Sequence, residues 1–281
     1  MSWRLRVQHA TGYRYDTEVV SSYNEARLTP PTSSRQLTLE SRVQTFPDAK
    51  QYRYWDYWGT QVTAFDVQEP HGALEVTAHS VVDTADVVPL PIDGPDWSQL
   101  HDDAHREQYA ELLAPTPRTA PSEEMSAAAR EAAGNLPPHE AVLAVTDLVH
   151  ARVAYQTGAT GVQTSAEQAW RLERGVCQDI AHVSVALLRD LGLPARYVSG
   201  YLHPKPDAAI GATVKAESHA WIEVWLGAWW PYDPTNLTHP GDRHVFVAHG
   251  REYGDVAPLK GIYSGKGSHA LGVKVELTRL L

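Results

Sequence analysis

The chain has 281 residues and a single cysteine, Cys177. One thiol forms no internal disulfide, and a metal site built from cysteines alone is excluded. Long apolar runs are missing too. No segment approaches the roughly 20 apolar residues of a membrane helix, and the opening Met1-Ser2-Trp3-Arg4-Leu5-Arg6-Val7 lacks the apolar stretch of a secretory leader. These absences set the expectation of a cytoplasmic protein with a reduced thiol and no membrane partner. Positive charge is in deficit: 24 Lys and Arg against 34 Asp and Glu leave a formal net charge of −10. A protein that grips phosphate backbones needs a basic face, so no nucleic-acid partner is expected. Internal repeats and low-complexity tracts are absent. What remains, 43% hydrophobic and 21% charged, is the composition of a globular protein long enough for a sizeable core and about two domains.

The first 90 residues read as strands. Alternating, β-branched and aromatic-rich segments recur at 3–15, 35–46, 52–68 and 74–82, separated by turn formers. Within the third, Tyr52-Arg53-Tyr54-Trp55-Asp56-Tyr57-Trp58 is an aromatic run that suits either a stacking platform for sugar or peptide or cross-strand packing in a β-sandwich; packing is the favoured reading. Prolines crowd residues 89–121, which reads as a linker with one short helix. Helices follow: one capped by Ser122 and ended by Gly134, one with Pro138 in its first turn, and a short one capped by Ser165. A further helix after Cys177 carries Ile180, Val183, Leu187, Leu188 and Leu191 at helical spacing and closes at Gly192 and Pro194. Strands return at 195–202, 219–226, 228–233, 244–249 and 271–278. The expected class is therefore α+β, with a β-rich domain and linker over 1–110 and a second domain over 111–281.

The residues around the thiol carry the chemistry. In Arg174-Gly175-Val176-Cys177-Gln178-Asp179, the glycine allows a sharp turn and Cys177 falls in the first helical turn. There the unpaired N–H groups and the helix dipole favour negative charge, and hence a thiolate. A lone cysteine is otherwise a small buried hydrophobe. A nucleophile needs a base and the base an orienting group. His219 opens the strand Ser218-His219-Ala220-Trp221-Ile222-Glu223-Val224-Trp225, and Asp233 follows in Tyr232-Asp233-Pro234-Thr235-Asn236. A three-residue loop of Leu226, Gly227 and Ala228 sets Trp225 opposite Trp229, Asp233 opposite Trp221 and His219 opposite Thr235. His219 and Asp233 then become same-face diagonal neighbours, roughly 7–8 Å apart. A two-residue loop would send them to opposite faces. Gly227 suits the left-handed position that the longer loop requires.

These motifs in this order, with Leu193-Pro194-Ala195-Arg196-Tyr197-Val198-Ser199-Gly200-Tyr201 between them and Gly250-Arg251-Glu252-Tyr253-Gly254-Asp255 after, resemble the transglutaminase-like superfamily. The likeness is to bacterial transglutaminase-like cysteine proteins with a β-rich N-terminal domain. It implies a papain-like core, with a Cys-bearing helix packed on an antiparallel sheet, and a Cys-His-Asp triad. In that triad Cys177 is the nucleophile, His219 the base and then the acid, and Asp233 the orienting carboxylate. The implied reaction is amide-bond hydrolysis of a peptide or protein through a thioester, with no cofactor. The alternatives are transfer to an amine acceptor and a non-catalytic peptide- or sugar-binding protein with a relic triad. The Cys177 N–H is one oxyanion donor. Some relatives use an upstream tryptophan as the second; none stands at that distance here, and Tyr155 or a backbone group is the expected substitute.

Gln178, Tyr201 and Trp221 are expected to line the site, and Glu223 to extend the His219 network. Asp179 reads as a partner of the helix dipole and His182 as a core histidine. His101 and His105 stand one helical turn apart, a spacing open to zinc, but their charged surroundings favour a solvated helix face, and no metal is expected. The β-rich domain is the place for a homodimer contact if one forms.

Overall fold

A computed structural model describes residues 2–281. Its β-rich layer is a sandwich. The 16-residue strand Arg4–Val19 buries Leu5, Val7 and His9 in alternation and lies at the centre of a five-stranded antiparallel sheet. The order is Thr213–Ala216, Ser268–Arg279, Arg4–Val19, His71–Thr84 and Gln36–Phe46. A four-stranded sheet, in the order Leu259–Tyr263, Ser22–Ala26, Gln61–Val67 and Gln51–Trp55, faces it. Tyr15, Val19, Leu28, Phe65, Leu74 and Val76 form a core of their own here. Strands from beyond residue 210 thus complete both sheets.

The single strand expected over 52–68 is broken at Asp56. Its Oδ1 accepts the N–H groups of Trp58 (3.1 Å) and Thr60 (2.9 Å), and Gly59 adopts φ +73°, so the chain folds into a hairpin. The strand Gln51–Trp55 becomes a sheet edge. Tyr52, Trp55 and Tyr57 are 55%, 60% and 78% exposed, so the favoured reading of this run as buried cross-strand packing is corrected: an edge strand has no outer neighbour to cover its rings.

The helices begin where their caps stand. Ser122 accepts the Met125 N–H ahead of Glu123–Ala133, Pro138 opens Pro138–Arg152, and Ser165 with Gln168 makes a capping box for Ala166–Leu172. The linker holds three short helices, Trp97–Leu100, Asp103–Gln108 and Ala110–Leu113, where one was expected. A second antiparallel sheet, in the order Trp229–Tyr232, Ser218–Trp225, Ala195–Leu202 and His244–Gly250, carries the motifs. The helix Cys177–Asp190 buries Ile180, Val183, Leu187 and Leu188 in one cluster with Tyr197, Ile222, Val224 and Val245 of that sheet. The fold is α+β, with a Cys-bearing helix packed on an antiparallel sheet. No helix is long and apolar enough to cross a membrane among the described residues.

Candidate active site

Cys177 is the first residue of its helix and is half-buried. The residue before it, Val176, is extended and has no polar side chain to cap the helix. Asp179 reaches back instead, its Oδ2 accepting the Val176 N–H at 2.8 Å. Gly175 serves this arrangement by having no side chain: a Cβ there would lie 2.7 Å from the Asp179 Cβ and 2.8 Å from Oδ2. The glycine is thus required for close approach of a carboxylate, where the sequence had pointed to a sharp turn.

The hairpin has the register expected. Trp225 pairs with Trp229 and Ile222 with Tyr232, and Gly227 in the loop adopts φ +87°. The ladder stops at Tyr232, and Asp233 continues into an isolated bridge with Thr238. His219 Nε2 donates to Asp233 Oδ2 at 2.7 Å, which leaves Nδ1 for the other hydrogen-bonding neighbour of the ring, Cys177. Burial alone pulls this imidazole down. The hydrogen bonds to Asp233 and Cys177, with the charges behind them, reverse that and raise it to about 10. The cysteine, histidine and aspartate expected from the sequence therefore come together from three separate segments.

Asp233 is buried and thoroughly held. Oδ1 accepts the backbone N–H groups of Thr235 (3.0 Å) and Asn236 (3.3 Å), and Oδ2 accepts the Asn236 side-chain amide at 2.7 Å. Burial pushes its carboxyl up, but the bonds from His219, His244 and Asn236 hold it well below the usual carboxylate range. His244 Nε2 lies 3.5 Å from Oδ2. Its Nδ1 accepts the Gly241 N–H, which leaves the Nε2 proton facing Asp233. The sequence reading assigned neither Asn236 nor His244 a role. Asn236 had a local signal, an Asp followed three residues on by Asn in a turn; His244 comes from another strand and had none.

The remaining sequence-named residues divide. Tyr155 pairs in parallel register with Gly175, two residues before the thiol, and is half-exposed. Gln178 is half-buried in the first helical turn. Trp221 is buried, its ring edge-on to His244 with centroids 5.4 Å apart and tilted to His219 at 6.2 Å. It also borders a cavity of about 400 Å³ with Arg35, His244 and Phe246. Tyr201 points elsewhere: it is buried with its hydroxyl 2.9 Å from His9 Nδ1, joining the core sheet to the β-sandwich. Glu223, on the His219 face, is fully buried between Arg35 and Arg196, the latter at 2.6 Å. His182 is a core histidine, accepting the Tyr253 N–H at 3.0 Å and packed on Tyr197.

Residues 126–234 match the model described as the transglutaminase-like superfamily, and residues 5–83 match the bacterial transglutaminase-like N-terminal region. An uncharacterized protein of Mycobacterium leprae is 48% identical over 99% of both chains. The chain belongs to the transglutaminase-like superfamily. An uncharacterized protein of Mycobacterium tuberculosis is 34% identical over 98% of this chain and 92% of its own. A crystal structure titled "Putative Cysteine Protease", from Cytophaga hutchinsonii, shares the fold: TM-score 0.78 at 23% identity, covering 100% of this chain and 91% of that one.

His219, Asp233 and His244 of this transglutaminase-like chain bring three possible metal-ligand atoms within 4.8 Å of one another. Asp233 Oδ2, however, is already engaged by His219 and Asn236, and the raised His219 favours a proton at Nε2 over a metal. His101 and His105 do not converge. His101 stacks on Trp97 with Nε2 3.0 Å from the Leu191 carbonyl, and His105 packs against Tyr109.

Proposed function

We propose that this transglutaminase-like protein is a cysteine-dependent amide-bond hydrolase acting on peptides or proteins. The observation that carries the reading is the hydrogen-bonded series Asp233–His219–Cys177, in which a buried carboxylate favours an imidazolium beside a thiol at a helix start. In the first half-reaction the Cys177 sulfur attacks the carbonyl carbon. A C–S bond forms, the C–N bond breaks, and the amine leaves with the proton carried by His219. In the second, His219 takes a proton from water, the hydroxide displaces the thiolate from the thioester, and a carboxylic acid is released. The Cys177 N–H, in the unpaired first turn, donates to the oxyanion, and the second donor is Tyr155 or a backbone N–H. Asp233 holds the ring in register and stabilises its charge. No cofactor enters the scheme, and the lone thiol suits the reducing cytoplasm.

The test is turnover of an unfolded protein such as casein, followed by release of new amino termini, with incorporation of a fluorescent primary amine run in parallel. Cys177→Ala should abolish both signals. New termini in excess of incorporated amine support hydrolysis; the reverse assigns the thioester to an amine acceptor. Survival of both activities in Cys177→Ala rules out the nucleophile, and their absence from the wild-type protein favours the binding role.

A further inference from the structure

Asp179, two residues beyond the thiol, is only 1% exposed and does more than face a helix dipole. Its Oδ2 accepts two hydrogen bonds from different segments: the Val176 N–H at 2.8 Å and the Thr160 hydroxyl at 2.6 Å. Val176 ends the turn into Cys177; Thr160 belongs to the loop between Tyr155 and the helix Ala166–Leu172. The same loop is tied to that turn again through the Gln156 N–H on the Gly175 carbonyl, 2.7 Å, and is fastened at its far end by Arg118 to the Val162 carbonyl and the Gln163 side chain. Oδ1 of Asp179 is buried without a partner, so the carboxylate is seated here at a cost in desolvation that only its two Oδ2 bonds offset. Gly175 makes the seat, since any side chain at that position would collide with Asp179.

We infer that Asp179 is a positioning residue: one oxygen sets both the turn that presents the Cys177 sulfur and N–H and the 156–164 loop that walls the site beside Tyr155. This rests on the reading of Cys177 as the nucleophile. A carboxamide at 179 keeps the acceptor and removes the charge, whereas a methyl removes both. The comparison of Asp179→Asn with Asp179→Ala therefore isolates the acceptor, because the charge is lost equally in each.

Cys177 is the only thiol, so iodoacetamide reports on it alone. Between pH 6 and 8, Asp179→Asn should be alkylated about tenfold faster than Asp179→Ala, the change expected from losing one helix-cap hydrogen bond of about 1.4 kcal/mol. Equal rates in the two folded variants overturn the inference. The loop is read separately by limited proteolysis: Thr160→Val should open 156–164 to cleavage while Thr160→Ser, which keeps the hydroxyl, protects it as the wild type does. Equal cleavage of Thr160→Val and wild type overturns the tether, and this arm stands should Asp179→Ala fail to fold. Failure of the nucleophile reading looks different: wild-type Cys177 would then react no faster at pH 6 than a small free thiol such as glutathione.

Discussion

Replacing Asp233 by asparagine removes the charge that holds His219 in its protonated form while keeping the side chain's shape. The rise of His219 from 6.5 to about 10 amounts to about 5 kcal/mol in favour of the imidazolium, at about 1.4 kcal/mol per unit. It is won against burial, which lowers the ring, and the hydrogen bond to Asp233 is the largest contribution opposing burial. Without the carboxylate, burial dominates and the imidazole falls to neutral at physiological pH, so no cation stands beside the thiol. Iodoacetamide alkylation measured from pH 5 to 9 reads this directly. The wild type should react at pH 6 within a few-fold of its rate at pH 8, and Asp233→Asn should lose about tenfold or more over the same span. Stability carries a second signature. A raised histidine stabilises the fold fully below its unfolded value of 6.5, a contribution lost as pH climbs through about 10. A depressed aspartate stabilises above its unfolded value of 3.8 and loses this as pH falls through its lowered one. The difference in urea stability between wild type and variant should be largest between about pH 4 and 6.5 and shrink toward pH 10. An alkylation profile for Asp233→Asn that overlays the wild type at every pH refutes the argument.

Two further substitutions probe other parts of the site. Glu223→Gln strips the one carboxylate from between Arg35 and Arg196, leaving two guanidiniums against a buried neutral amide. A loss of about 3–5 kcal/mol in urea unfolding is expected, and a loss under 1 kcal/mol would show the cluster to be dispensable. Tyr155→Phe should leave iodoacetamide alkylation of Cys177 unchanged, since the reagent forms no oxyanion, yet lower peptide turnover about 100-fold if the hydroxyl donates to the tetrahedral intermediate. Unaltered turnover removes Tyr155 from the mechanism.

Much of the site was legible because its determinants are local. Ser122, Pro138 and Ser165 start helices by bonding to, or shaping, the backbone within three residues. The hairpin register follows from loop length and a glycine free to take φ +87°, and it puts His219 and Asp233 on one face. The broken strand at Asp56 was local as well, but its signal was a side chain bonding its own backbone, which competes with the strand pattern and is masked by the aromatics around it.

By itself, then, the sequence determined the α+β class and the family, and it named the thiol, imidazole and carboxylate of the proposed triad, because periodicity, capping and turn chemistry act over a few residues and the proposed chemistry needs those groups. Other features were decided only in three dimensions. The strand Ser268–Arg279 closes against Arg4–Val19 from the opposite end of the chain. Tyr201 turns to His9 and away from the thiol. His244 reaches Asp233 from a neighbouring strand, and Thr160 meets Asp179 across a loop. Each depends on which surfaces bury one another, a choice made by close packing of the whole core and carried by no residue's neighbours in sequence.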